Sequence, residues 1–183
     1  MGFEKTKLEL QVVELWVNVN SDKVETRTAA WNEMGKLSEK IIPLSDLCSS
    51  EDKPVSKAAK GLLEAIAHRA ARPGAKEEAK EVSEKLLDVA SSSRPVLVRA
   101  WALHLLGFTA DGRAVPKIAR LLEVPEVQEE ARLALERIPG SAATSALKSA
   151  SKKTVAPFRS NVEQSLRARE ATPKTIGTTS VRR

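Results

Sequence analysis

Two histidines and one cysteine are the side chains of this chain best suited to acid–base, nucleophilic or metal chemistry. His68 and His104 fall in two separate helical segments, and neither has a second His or Cys at the short spacing that a zinc site needs. Cys48 stands in "PLSDLCSS", where burial as a small apolar side chain is a better interpretation than a nucleophilic role. Gly107 and Gly112 lack the lysine and the strand of a phosphate-binding loop. The sequence therefore predicts no catalytic residue, no metal site and no cofactor.

Two clusters of acidic residues could supply pairs of catalytic carboxylates. They are Glu77, Glu78, Glu81 and Glu84, and Glu126, Glu129 and Glu130. Basic side chains alternate with them at i,i+4 spacing, namely Lys76, Lys80, Lys85 and Arg132. This alternation is typical of a solvated, salt-bridged helix face, in which each pair contributes about 0.3 kcal/mol. We interpret both clusters as such a face.

The composition favours a helical protein. Of the 183 residues, 42% are apolar and 30% are charged, which fits a globular domain with a core of its own. Alanine and leucine dominate, and the aromatic residues are three tryptophans and three phenylalanines, with no tyrosine. Strong helix formers therefore outnumber strand formers, and all-α is the expected class.

Cysteine usage and hydropathy bear on the compartment. A single cysteine excludes an intramolecular disulfide and fits a reducing compartment. The chain has no run of apolar residues long enough to span a membrane, and its first residues lack the apolar core of a signal peptide. We expect a cytoplasmic protein that does not bind membranes.

The positive charge is concentrated at the C-terminal end. The net charge is +6, and the segment 148–183 contains nine Lys or Arg against two Glu, a net +7. The preceding residues are therefore close to neutral. Within this segment, 170–183 is rich in Thr and Ser with little to bury, which predicts a flexible basic tail.

The apolar residues repeat along the chain. In "VRAWALHLLG" at 98–107 they occupy i, i+4, i+7 and i+8, which is one stripe of a helix. The segments 55–66 and 127–138 carry the same stripe, and an offset of 72 residues superimposes the first on the second. The same offset carries 26–35 onto 98–107, and 158–166 is a weaker fifth copy. A repeat of this kind indicates stacked helical units.

Each copy of the apolar stripe has a neighbouring helix in the sequence as its partner. Short connectors with Gly, Pro, Ser or Asp separate the stripe helix from its partner. The partners are 6–19, 39–48, 75–90, 112–123 and 141–150. Since one pair cannot bury its apolar face alone, neighbouring pairs must stack. The predicted fold is all-α, a right-handed α-solenoid of about five antiparallel helix pairs spanning 1–169.

The prolines and glycines give finer expectations. Pro43 and Pro116 are predicted to lie inside partner helices and to kink them. In "ERIPGS", Ile138 closes an apolar stripe and Pro139-Gly140 ends the helix. Ser141 is then expected to cap the next helix. This stretch is a joint between repeats.

The repeat resembles a known family. "VRxxAxxxLG" at 98–107, followed by "AVPxxAxLL" at 114–122, is similar to the HEAT-like repeats of bacterial proteins, and 127–147 resembles the next unit of such an array. The resemblance extends over 94–150 and, less closely, over 22–72, 5–20 and 154–169. It implies a curved α-solenoid with a binding surface, and it implies a partner without naming one.

Some HEAT-like arrays have specialised activities. Phycobiliprotein lyases need a bilin context that nothing here indicates. A class of DNA glycosylases surrounds an extruded base with aromatic residues, a role for which Trp31 and Trp101 could be considered. Trp31 and Trp101 lie on or beside the apolar stripes, however, and Trp16 lies on the first helix, so we expect all three to pack within the array.

Two functions remain open at this point. The leading hypothesis is a non-enzymatic interaction or scaffold module whose second helices line a concave groove and hold a protein partner. Its candidate binding residues are Arg99, Glu129, Arg132 and Glu136, although Arg99 could instead bridge adjacent repeats. The alternative is binding of a nucleic-acid phosphate backbone through the basic end. Its candidates are Lys152, Lys153, Arg159, Arg167 and Arg169.

Overall fold

The computed structural model describes residues 6–34 and 38–171. Helices joined by turns and short connectors make up this part of the chain. It contains ten α-helices and one short 3₁₀ helix, Ser38–Lys40. The α-helices are α1 (Lys7–Val19), α2 (Val24–Met34), α3 (Ile41–Leu47), α4 (Lys53–Ala70), α5 (Lys76–Ala90), α6 (Val96–Thr109), α7 (Val115–Leu121), α8 (Gln128–Arg137), α9 (Ser141–Lys153) and α10 (Phe158–Ala171). The predicted all-α class with about five helix pairs is confirmed.

The end of the array lies slightly beyond its predicted position. The last helix continues to Ala171, past the predicted domain boundary at residue 169. The predicted flexible tail at 170–183 lies outside the described residues from 172 onward. No helix of the described part is long and apolar enough to cross a membrane.

Two helices, α1 and α4, begin where a side chain caps their first amides. At α1, the Thr6 side chain accepts from the Glu9 amide at 3.3 Å, and the Glu9 carboxylate accepts from the Thr6 amide at 2.7 Å. At α4, Asp52 accepts from the Val55 amide at 3.2 Å, and Pro54 occupies the first turn. Since the first amides of a helix have no partner within it, these caps fix both starting points.

Two expectations about prolines and one about a cap are wrong. Pro43 and Pro116 lie in the first turns of α3 and α7, where a missing amide hydrogen removes no helical hydrogen bond, so they cause no kink. Ser141 is the first residue of α9 and makes no capping bond. Gly140 precedes it with φ +95°, a conformation that side chains disfavour. The joint therefore turns on the glycine.

The helices form two layers with the core between them. In the second-helix layer, α4 packs on α6, α6 on α8 and α8 on α10. In the first-helix layer, α3 packs on α5 and α7 on α9. The repeated stripes meet between the layers and are almost wholly buried, as Leu62, Leu106 and Leu135 illustrate. The periodic apolar pattern thus identified the core correctly.

The N-terminal end departs from the repeat. The match of 26–35 to 98–107 predicts that α2 stacks on α4 as α6 stacks on α8, but α1 is the helix that packs along α4. Three stripe residues of α1, Val12, Leu15 and Val19, are buried. Among its described residues α2 buries Ala30 and Met34, and it packs mainly on α1. Because α1 has the richer apolar stripe, it occupies the place beside α4 that the repeat predicted for α2. The second-helix layer therefore runs α1, α4, α6, α8, α10.

Candidate functional site

An open groove crosses the second-helix layer at α4. The exposed face of α4 carries Lys53, Lys57 and Lys60, which helical periodicity places on one stripe. Trp16 of α1 and Trp101 of α6 flank this stripe. The groove has a volume of about 520 Å³ and is lined by Trp16, Ser50, Lys53, Ser56, Lys57, Lys60, Gly61, Glu64 and Trp101. We call it the tryptophan groove.

The wall formed by Trp16 depends on a glycine. A Cβ atom built on Gly61 would lie 2.3 Å from Cη2 and 2.4 Å from Cζ3 of Trp16, so the indole rests against the backbone of α4. Glycine inside a helix costs about 1 kcal/mol relative to alanine. Its presence in the middle of an eighteen-residue helix is explained by this close approach.

The wall formed by Trp101 is held by a ring stack. The Trp101 and His104 rings are stacked, with centroids 5.2 Å apart and planes 15° apart. The Trp101 Nε1 atom is buried and has no acceptor within the described part of the chain. Stacking and packing, rather than a hydrogen bond, therefore set the orientation of this indole.

The two histidines meet around Phe108. The ring centroids of His68 and His104 lie 5.1 and 5.3 Å from that of Phe108. The Arg137 guanidinium lies 5.4 Å from the Phe108 centroid, and its Nη1 is 3.3 Å from Nδ1 of His104. Burial, followed by the charge of Arg137, lowers the pKa of His104 below its usual 6.5. Although they belong to different repeats, the histidines lie on one face beside the tryptophan groove.

A carboxylate approaches one of these histidines. Oε1 of Glu64 lies 3.7 Å from Nε2 of His68, and both side chains are about half exposed. Acid–base catalysis would require a substrate site within hydrogen-bond reach of this pair, and the surface here is open. Among the described residues no group of three His, Cys, Asp or Glu side chains could hold a metal ion.

The cysteine lies beneath the groove and is buried, as predicted. Its Sγ donates to the carbonyl of Leu44 at 3.4 Å. Burial raises the pKa of the Cys48 thiol to about 12. The positive charge of Lys60 lowers this pKa, and the negative charge of Asp46 raises it by a smaller amount. Cys48 is therefore a protonated core side chain.

The candidates on α8 form a polar network with α10. Arg132 donates to Glu129 at 2.7 Å and to Glu136 at 3.3 Å, and it also donates to Ser165. Ser165 donates to Glu136 at 2.6 Å, and Asn161 donates to Glu129. The Arg132 side chain is 12% exposed, so the expectation that it is an exposed groove residue is wrong. The network joins two repeats because α10 covers it.

Two further candidates, Arg99 and Arg159, occupy the same position of the repeat and make the same kind of hydrogen bond. Arg99 donates to the carbonyl of Ala90 at 3.1 Å, and Arg159 to that of Thr154 at 2.7 Å. Arg27 and Ser56, at equivalent positions, donate to Ser21 at 2.7 Å and to Cys48 at 2.6 Å. Each acceptor lies at or near the end of the preceding helix, where carbonyls lack helical partners. The repeated residue thus ties the two helices of a unit together.

Arg169 is also used internally. Its guanidinium donates to the carbonyls of Leu135, Glu136, Ile138 and Gly140 and to the Thr144 hydroxyl, at 2.6 to 3.0 Å. It therefore caps the end of α8 from α10. Burial lowers its pKa, with Glu136 opposing. Lys152, Lys153 and Arg167 remain exposed. Any role of these three residues, of Arg159 or of Arg169 in nucleic-acid binding stays a prediction.

Sequence reasoning missed the tryptophan groove because it assigned the tryptophans to packing. Trp16 and Trp101 do pack against the core, yet both also line the surface groove. Two signals were present in the sequence: three lysines on one stripe of α4, and a glycine in the middle of the same helix. Neither indicates which neighbours flank α4, so the groove becomes visible only in the assembled layer.

Solved structures and one family model match parts of this chain. Two structures of engineered proteins are similar, at 21% identity with a TM-score of 0.44 and at 22% with a TM-score of 0.41. Each match covers 86% of this chain, with 77% of the first structure and 46% of the second. No curated protein matches. Residues 83–167, slightly less than half of the chain, match the family described as HEAT repeats, and this part of the chain is similar to them.

Proposed function

We propose that this protein is a non-enzymatic interaction module that holds a protein partner on its second-helix layer, at the tryptophan groove. The observation that carries the proposal is the position of two indoles on either side of a lysine stripe. Tryptophan is enriched where proteins bind one another, because it offers a large apolar surface at low conformational cost.

The groove has side chains available for a partner. Lys53, Lys57 and Lys60 form no salt bridge with any residue that the structure describes. By contrast, the candidates on α8 and Arg169 on α10 are engaged in bonds between repeats. A partner on the tryptophan groove would gain contacts without breaking the bonds that hold the array together.

The shape of the molecule supports binding rather than catalysis. Stacked helical repeats form an extended surface on which a partner can lie across several units. The groove is open, and the side chains of Glu64 and His68 beside it are both about half exposed. An active site is usually more enclosed, since exclusion of water strengthens its electrostatic interactions.

Site-specific photo-cross-linking tests this proposal. A photoreactive amino acid replaces Lys57 in the groove or, as a matched control, Lys117 on α7 in the first-helix layer, which is also exposed. In an extract of the source cells we expect a discrete cross-linked protein from position 57 and none from position 117. Equal labelling from both positions, or labelling from position 117 alone, would contradict the proposal.

A further inference from the structure

The tryptophan groove has a charge that selects its occupant. We propose that it takes an acidic peptide segment that also carries an apolar side chain; this inference rests on the proposed function and names the class of partner. Three ammonium groups face the groove against the single carboxylate of Glu64. Negative charge on the partner is therefore favoured, both in the encounter and in the bound state.

The spacing of the lysines fits a short segment. Lys60 lies seven positions after Lys53 on α4, which is about 10 Å along the helix axis at 1.5 Å per residue, and Lys57 lies between them. Alternate side chains of an extended chain lie about 7 Å apart on one side. Two or three carboxylates within about five residues would thus lie opposite the three ammonium groups.

The walls provide the apolar contact. Trp16 and Trp101 both line the groove, and the Trp16 indole fills the space over Gly61. An aliphatic or aromatic side chain placed in the groove would contact indole surface, the kind of contact that dominates binding energy at interfaces.

The position of Glu64 orients the occupant. It lies one helical turn beyond Lys60, next to His68 and the aromatic cluster around Phe108. A carboxylate of the partner would be repelled there, so its acidic residues lie over Lys53–Lys60 and its uncharged part over Glu64.

The same geometry disfavours single-stranded nucleic acid. Bases bind such surfaces by stacking on open aromatic faces. The Trp16 ring lies against the backbone of α4 at Gly61, and one face of Trp101 is covered by His104. Glu64 would in addition repel a phosphate. Nucleic acid is therefore an outcome that the test must distinguish.

Fluorescence anisotropy with the full chain provides the test. The probes are a short labelled peptide of Asp and Glu with two Leu, the same peptide with Asn and Gln in place of the acids, and a labelled oligothymidine. We expect the acidic peptide to bind, with an affinity that falls as salt rises, and the other two to bind at least about tenfold more weakly, a difference of about 1.4 kcal/mol.

Charge reversal locates the site. Lys57→Glu is expected to weaken binding of the acidic peptide by about tenfold or more. Lys117→Glu makes the same change in net charge on the opposite layer and should leave the affinity within about twofold. Both positions are exposed, so both variants should keep the fold, as circular dichroism would verify.

The outcomes separate this inference from the function on which it rests. Tighter binding of oligothymidine or of the uncharged peptide, no binding of the acidic peptide, or equal effects of the two lysine variants would each overturn the acidic-peptide inference. If a cross-link from position 57 persisted in that case, the proposed function would stand with another class of partner. Loss of that cross-link would contradict the proposed function itself.

Discussion

The indole of Trp16 lies so close to Gly61 that a Cβ atom on the glycine would be 2.3 Å from the ring. This contact joins the first helix of the array to the fourth and forms one wall of the tryptophan groove.

Gly61→Ala is expected to destabilise the protein. In most helix interiors this change stabilises by about 1 kcal/mol, but here the added methyl group must displace the indole, with an expected net loss of about 1–3 kcal/mol in the free energy of unfolding. Urea denaturation followed by circular dichroism measures it.

A second background isolates the cause. In a Trp16→Ala protein the same Gly61→Ala change meets no ring, so it should be neutral or stabilising. A stabilising effect of Gly61→Ala in the otherwise unchanged protein would show that the indole does not rest on the glycine.

Arg169→Ala should destabilise far more than Arg167→Ala. Arg169 donates to four carbonyls at the end of α8, whereas Arg167 on the same helix is exposed. We expect losses in the free energy of unfolding of about 2 kcal/mol and at most about 0.5 kcal/mol, respectively. Equal losses in parallel urea titrations would refute the capping role.

Cys48 should be unreactive in the folded protein. Its pKa of about 12 leaves the thiol protonated across the neutral range, and it is buried in the core. The thiolate is the species that reacts with disulfide reagents. Labelling with a chromogenic disulfide at mildly alkaline pH should therefore be very slow until denaturant is added. Rapid labelling without denaturant would contradict this placement.

His104 should make stability depend on pH. Its folded pKa is lowered below 6.5 by burial and by Arg137, with a smaller contribution from His68, while Glu64 acts in the opposite direction. The unfolded chain then binds a proton more readily than the folded one, so stability is retained above pH 6.5 and lost as the pH falls from there to the folded pKa.

A histidine replacement checks this assignment. We expect His104→Gln to lose less stability than the unchanged protein when the pH is lowered through this range, as measured by thermal unfolding. An identical loss in both proteins would assign the effect to other groups.

The sequence by itself determined the helices, their stripes and the repeated pairs. These features depend on short-range periodicity: residues such as Val98, Ala102 and Leu106 lie on one helix face whatever the rest of the chain does. The joint at Ile138–Gly140 was equally local, apart from the residue that caps α9, which is Gly140 and not Ser141.

Tertiary structure decided which helices are neighbours and which charged side chains are available. Whether an arginine is free depends on which acceptors the folded chain brings to it. Arg99, Arg132 and Arg169 read as surface residues in the sequence but are used in internal hydrogen bonds in the structure. The tryptophan groove required Trp16 and Trp101 to lie on either side of α4. This long-range arrangement is set by shape complementarity between helices. Helical periodicity does not encode that complementarity.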